Sequence, residues 1–327
     1  MILIISSIDD LSTNEVIDWL DFYSAPYMRI CSTDTIFIKK LVLSDEEPQL
    51  VFSIDNEIID WKNIKAVWYR RSFLNLSSFT IKSDLSTNID FQINAQMKHE
   101  LQILKDAFWN ILQTKSINTE AGNKLNKLLV LDACRLVGIK IPKTIITSSK
   151  KDLRTFFDEV RGGLITKNYS PGLFISDDEG YFSTETRELN LEMLNSLNDC
   201  FAPILAQKNI EKAFELRIFY LLGECYSSAI FSQNDDKTKT DFRNYNWEKP
   251  NRTPPYSLPV ELRNKIIQLM KIVELNSGSI DILVDTKGDY FFLEINPVGQ
   301  FKQVSLPCNY QLEKKIAQTL TKNEQQY

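Results

Sequence analysis

The chain has 327 residues, 43% of them hydrophobic and 25% charged, with a formal net charge of -5. That length exceeds one simple core and fits two or three subdomains, and the acidic balance argues against nucleic acid held on a general basic surface. The single histidine, His99, excludes a histidine-rich zinc site and forces any Ser-His-Asp triad to be built around it.

The first element predicted is a buried strand in "MILIIS", followed by a helix in "TNEVIDWLDFY" and further strands in "PQLVFSI" and "IKAVWYRRS". A strand followed by a helix favours an α/β N-terminal domain. The same N-terminus lacks the basic flank and length of a signal peptide. A long helical pattern runs from about Asn88 to Leu112 and places His99 on a helix, where a surface or packing role is expected. A second helix in "NKLNKLLVLDACRLVGIKIPKT" ends near Gly138, with Pro142 blocking its continuation. Beyond Ser148 the pattern shifts to a short helix in "SKKDLRTFFDEV", a strand in "GGLITKNYS" and a hairpin around Asp-Glu-Gly. "PILAQKNI" and "ELRIFYLLGECYSSAIF" read as strands, and "QNDDKTKTDFRNYNWEKPNRTPPY" as loop. A helix in "PVELRNKIIQLMKIVELN" leads into two antiparallel strands in "SGSIDILVDTKGDYFFLEIN", and "CNYQLEKKIAQTL" closes the chain. No apolar run reaches membrane-spanning length, so no membrane partner is expected. Five scattered cysteines without a CxxC pair read as reduced thiols in a cytoplasmic protein.

One apolar stretch, "FFLEINPVGQF", carries a carboxylate and a carboxamide, Glu294 and Asn296, which are costly to bury unless paired. Residues two apart on a strand share a face, so strict alternation puts Phe292, Glu294 and Asn296 on one side. Pairing the two strands around Lys287-Gly288-Asp289 brings Asp281 near Glu294. Three hard oxygen donors without imidazole or thiolate suit Mg²⁺ completed by water and phosphate. The competing reading for each residue is a carboxylate satisfied by Lys or Arg in a solvated sheet. A phosphate-bound Mg²⁺ also needs cations, and Lys124, Lys167 and Arg243 are the candidates.

The order of these motifs over 118–301 resembles the ATP-grasp superfamily. "AVWYRRS", "IEKAFELRIFYL", "FFLEINPVGQF" and "VSLPCNYQLEKKIA" narrow the resemblance to the ATP-grasp peptide maturases of graspetide biosynthesis, in the grasp-with-spasm subgroup related to the microviridin ligases. The resemblance implies an α/β ATP-grasp fold in three subdomains: an N-terminal α/β domain (1–118), a central lid (119–205) and a C-terminal domain (206–327). ATP would lie between the last two. It implies an ATP- and Mg²⁺-dependent ligase that phosphorylates an Asp or Glu side chain of a ribosomally made precursor peptide. A Ser, Thr or Lys side chain would then displace the phosphate, giving an ester or amide macrocycle. The alternative is another carboxylate-amine ligase of the superfamily, adding an amino acid to a protein or peptide.

Residue by residue, the resemblance assigns Asp281, Glu294 and Asn296 to the metal and Lys124 and Lys167 to phosphates. Gln207, Lys208, Asn209 and Ile210 match the adenine hinge, and Glu215 a nucleotide-side acid. Arg217 matches a basic group poised over the acyl phosphate and is expected to be catalytic, with Arg243 and Asn244 facing the transferred phosphate. The partner implied is a precursor peptide with a leader, and a homodimer is expected. Two departures stand out: "NYSPGLF", with Gly172, replaces a Gly-rich phosphate loop, and the hinge "QKNI" lacks the usual acid and aromatic. Of Arg70 and Arg71, adjacent on a strand, at most one faces a cleft.

Overall fold

The computed structural model describes the chain except residues 84–85, 162, 171–173, 178–179, 184–185, 234–250 and 323–327; for 174–177 and 181–183 it describes the backbone alone. Contacts divide the chain into two compact units. One comprises Met1–Lys124, Gln300–Ser305 and Tyr310–Tyr327, the other Leu125–Gly299 and Leu306–Asn309.

The first unit holds a parallel sheet in the order Tyr27–Ile30, Ile2–Ser6, Ala66–Arg71 and Ser116–Ile117. The run Ile2–Ser6 is buried throughout, as a central strand covered on both faces must be. Asp10 caps the following helix, Leu11–Phe22, by accepting from the Thr13 amide at 2.8 Å. That helix packs on the C-terminal helix Leu312–Thr321. A second sheet runs Glu57–Asp60, Gln49–Ile54, Thr35–Val42, Asn75–Leu76. The helix Thr87–Leu112 carries His99 on its exposed surface.

Arg70 is turned inward, 3% exposed, while Arg71 is exposed. The Arg70 guanidinium lies 3.6 Å from Asp10, donates to Gln300 Oε1 at 3.3 Å and stands 5.1 Å over the Phe301 ring. Burial pushes its pKa down to about 10, against the opposing pull of Asp10.

The second unit begins with the helix Lys127–Val137. Asn126 caps it by accepting from the Leu128 and Leu129 amides, and Gly138 ends it at φ 71, a left-handed conformation suited to glycine. Two four-stranded antiparallel sheets follow. The first has the order Arg187–Leu189, Leu164–Thr166, Cys200–Lys208, Thr144–Ser149, backed by the helices Lys150–Val160 and Leu191–Ser196 through Leu153, Phe156 and Leu194. Phe174–Asp177 pairs antiparallel with Gly180–Ser183, and the Asp178-Glu179 part of the expected hairpin turn lies outside the described residues. The other sheet has the order Glu224–Ile230, Lys212–Leu221, Ser277–Asp285, Tyr290–Asn296. One face of it packs through Leu216, Ile218, Ile280, Ile282, Phe292 and Ile295 onto core residues of the helices Lys127–Val137 and Val260–Ile272.

Two β-bulges reset the alternation on this sheet. The register of Lys212–Leu221 on its neighbour shifts between Lys212 and Phe214, leaving Ala213 as the extra residue. On the other side, Asp281 faces Glu294 but Ile282 faces Phe292, so Leu293 is extra. Strict alternation therefore fails at Phe292. It joins the core, while Leu293 and Glu294 both turn to the opposite face.

Candidate active site

That opposite face forms the floor of a cleft of about 710 Å³ within the second unit, in the range of small-molecule sites. Its apolar walls are Ile165 from one sheet and Leu283, Phe291 and Leu293 from the other. Register aligns Ser228, Arg217, Asp281 and Glu294 in one row across four strands. Arg217 and Asp281 are 7% and 6% exposed. Arg217 Nη1 lies 2.7 and 2.6 Å from the two Asp281 oxygens.

The polar pair in "LEIN" is satisfied from both ends. Glu294 Oε2 accepts from Lys127 Nζ at 3.1 Å, and Glu294 Oε1 accepts from Asn296 Nδ2 at 3.2 Å. Asn296 is held by the turn that follows it. The Gly299 amide donates to Asn296 O at 2.9 Å, and Gly299 approaches Ser279, the cross-strand neighbour of Asn296, so closely that a Cβ there would lie 2.5 Å from the Ser279 Cβ.

Of the residues expected at the site, Lys167, Lys208, Asn209, Ile210, Glu215, Asp281 and Glu294 line this one cleft. Lys167 follows the strand Leu164–Thr166 directly. In the hinge, the Lys208 and Asn209 amides donate to Lys143 O at 2.9 Å and Gly163 O at 3.0 Å. Gln207 is fully buried and donates to Thr144 Oγ1 at 2.8 Å; its Oε1 has no hydrogen-bond partner among the described residues. Glu215 accepts from Lys212 and, at 3.4 Å, from Ser232 Oγ. Arg217 and Asn296 join the cleft residues through Asp281 and Glu294. Lys124 belongs to the first unit, where its amine lies 3.2 Å from Glu120. Arg243, Asn244 and Gly172 lie outside the described residues.

The sequence reading missed Lys127 and Lys212. Lys127 follows the capping Asn126, a start signal that "NKLNKLL" does carry; it stands three residues from the lysine expected there. Lys212 gives no such signal, because the bulge at Ala213 turns it to the Glu215 side.

Among the described residues no three His, Cys, Asp or Glu side chains cluster to hold a metal. The donors here are two carboxylates and a carboxamide, Asp281, Glu294 and Asn296. This all-oxygen chemistry fits a hard divalent cation that completes its shell with water and phosphate. The orphaned acceptor of Gln207 behind the hinge, the apolar walls and the cations Lys127 and Lys167 fit a nucleotide lying along the cleft.

Two antiparallel sheets enclosing a cleft, with a cation-carboxylate row on the floor, define an ATP-grasp fold, and residues 121–320 match the RimK-like ATP-grasp domain. The chain belongs to that family. Among solved structures it is similar to a RiPP-associated ATP-grasp ligase of Chryseobacterium gregarium, solved in complex with ADP and a leader and core peptide. That likeness has 23% identity over 98% of this chain and 94% of that one, with a TM-score of 0.77. It is also similar to the macrocyclase MdnC of Microcystis aeruginosa MRC, bound with precursor peptide MdnA, at 24% identity over 98% of both chains and a TM-score of 0.74. The ATP-grasp ligase PsnB, complexed with a variant of a minimal precursor, Mg and ADP, matches at 17% identity over 98% of this chain and 97% of that one, with a TM-score of 0.69. These likenesses establish the fold. No curated protein matches the sequence. No described helix is long and apolar enough to cross a membrane.

Proposed function

We propose that this chain is an ATP-dependent ligase that closes side-chain ester or amide macrocycles in a ribosomally made precursor peptide. The peptide would carry a leader and a core in which Ser, Thr or Lys can reach Asp or Glu. The observation that carries the reading is the row Arg217–Asp281–Glu294, with Asn296 beside it, on the floor of a nucleotide-sized cleft. The relatives solved with precursor peptides and ADP support the choice of substrate.

The division of labour follows from the chemistry. A carboxylate is a poor electrophile, whereas its acyl phosphate has a good leaving group. Transfer of the ATP γ-phosphoryl group to the peptide carboxylate, then attack by the side-chain hydroxyl or amine, releases ADP and phosphate and removes one water mass per ring. Asp281, Glu294 and Asn296 would hold Mg²⁺, which when bound neutralises charge on the transferring group. Lys127 and Lys167 bring positive charge to the phosphates. Gln207, Lys208, Asn209 and Ile210 form the wall against which the base lies. Arg217, fixed by two contacts to Asp281, stabilises charge developing at the acyl centre. Arg243 and Asn244 are assigned to the transferred phosphate. No protein nucleophile is required, which suits a chain with one histidine on an exposed helix surface. The enzyme is read as a homodimer.

Intact mass tests the reading. The protein, ATP and Mg²⁺ are incubated with a short Thr- and Glu/Asp-rich peptide encoded beside its gene. Loss of whole water masses, abolished by Asp281→Ala, supports macrocyclisation. ADP release with mass gain from a free amino acid overturns it in favour of an amino-acid-adding ligase.

A further inference from the structure

We infer that Ser228 is a positioning residue that anchors Arg217 when Asp281 is engaged by the divalent cation; the inference rests on the ATP and Mg²⁺ reading above. Three observations carry it. The first is a conflict over one carboxylate. Arg217 Nη1 lies 2.7 and 2.6 Å from the two Asp281 oxygens, and Asp281 is one of the three donors assigned to the metal. A guanidinium and a divalent cation on the same two oxygens carry like charge and repel each other. Both residues are buried, so solvent and salt screen little of that repulsion. Arg217 therefore needs a second hold, near enough to be reached by turning its side chain alone.

The second observation is where such a hold stands. Ser228 faces Arg217 directly across the ladder, on the side away from Asp281. Its neighbour Ala229 joins the core, so Ser228 turns to the opposite face, the one that carries Arg217 and Asp281. Residues directly opposite on an antiparallel pair have Cβ atoms about 4.5–5.5 Å apart, within reach of a long side chain. The third observation is that this hydroxyl is idle. Ser228 is fully buried, and its Oγ has no hydrogen-bond partner among the described residues. Its other ladder neighbour is Pro255, which has no N–H to donate. A buried hydroxyl left unsatisfied is a cost that alanine would remove. Its lone pairs suit an arginine, which only donates. The exchange moves no proton. Arg217 stays charged and donates to Ser228 Oγ in place of Asp281, so the guanidinium keeps its place on the cleft face.

The test is ADP binding by titration calorimetry, in EDTA and with Mn²⁺ in place of Mg²⁺, together with melting curves in EDTA. Wild type should bind ADP more tightly with Mn²⁺. Ser228→Ala should lose about tenfold of that gain, or all of a smaller one, the scale of one hydrogen bond to a charged group. Its ADP affinity in EDTA should be unchanged. Its melting temperature in EDTA should equal or exceed that of wild type, because the hydroxyl it removes bonds to nothing. In an Arg217→Gln background, Ser228→Ala should no longer alter the gain. A lower melting temperature for Ser228→Ala in EDTA shows a hydroxyl already satisfied, for instance by a buried water, and overturns the inference. An unchanged gain overturns it too and leaves the ATP reading standing. A gain cut equally in both backgrounds gives the hydroxyl to the metal or nucleotide directly and overturns its role through Arg217. Wild type whose ADP affinity is indifferent to Mn²⁺ overturns the metal reading itself.

Discussion

Lys127 Nζ lies 3.1 Å from Glu294 Oε2, joining the first turn of one helix to a strand 167 residues further along. The contact places a cation on the one carboxylate of "LEIN" and leaves Asp281 to Arg217. Lys127→Ala should weaken nucleotide binding by about tenfold or more, since a hydrogen bond to a charged group contributes roughly 1.5–3 kcal/mol. Titration of ATP into the variant with Mg²⁺ present checks it, and unchanged affinity would remove Lys127 from the site.

Asp281→Asn keeps the shape of the side chain but removes the charge that a divalent cation and Arg217 both use. Turnover should fall by about a hundredfold or more, and the Mg²⁺ concentration for half-maximal rate should rise. Asn296→Ala should raise the Mg²⁺ requirement as well, by a smaller factor. Steady-state ADP release across a Mg²⁺ series measures both.

Gly299→Ala adds a Cβ 2.5 Å from the Ser279 Cβ. Overpacking of this kind costs about 1–3 kcal/mol, a drop of a few degrees in melting temperature for a chain of this size. Ser279→Gly should restore part of the loss in the double variant, because Asn296 O stays 2.9 Å from the added Cβ. A melting curve of Gly299→Ala that overlays wild type would contradict the close approach.

Arg70 and Asp10 should behave as a unit. Arg70→Met leaves Asp10 buried without its charge partner and should destabilise by about 3–5 kcal/mol. Asp10→Asn retains a capping side chain, so the double variant should recover much of that loss. Urea titrations of the two single variants and the double variant measure the coupling. The low pKa of Arg70 sets the sign of its own pH term. Its ordinary value lies above its folded value of about 10. Between those values the unfolded chain holds the extra proton, so this term favours folding more as pH rises past 10, and below 10 it is a constant cost of burial.

Burial pushes the Cys134 and Cys225 thiols up to about 12, whereas Cys200 is exposed. At pH 8.5 iodoacetamide should label Cys200 quickly and leave Cys134 and Cys225 until the chain unfolds. Above pH 9 the unfolded chain loses those two thiol protons and the folded one keeps them. Their contribution therefore destabilises the fold progressively toward pH 12. Peptide mapping after timed labelling reads the first effect, and a melting series against pH the second.

Much of this is legible in the sequence. The helices Thr87–Leu112, Lys127–Val137, Lys150–Val160 and Val260–Ile272 follow their apolar spacing, and the stop at Gly138 follows from its neighbours Ile139 to Pro142. The pairing of Asp281 with Glu294 follows from counting back around the Lys287-Gly288-Asp289 turn. What failed was alternation at the bulges. A period of two puts Phe292 beside Glu294 and Lys212 opposite Glu215, and a single extra residue reverses each relation. The strand Thr35–Val42 was hidden in a similar way. Its register shifts between Ile38 and Lys40, and two consecutive lysines interrupt the apolar pattern. The inward turn of Arg70 also depends on Gln300 and Phe301, more than two hundred residues away, which no local pattern reveals.

The way the chain is partitioned bears on the order in which it can fold. The first unit is not finished when Lys124 leaves the ribosome. The helix Leu11–Phe22 packs on Leu312–Thr321, and Arg70 meets Gln300 and Phe301, so these partners are made only after the whole of Leu125–Gly299. The parallel sheet is synthesised first, but part of the packing of its unit waits for segments beyond Gly299. A nascent chain must carry an exposed Leu11–Phe22 face, and a buried-to-be arginine, until that intervening segment has been made.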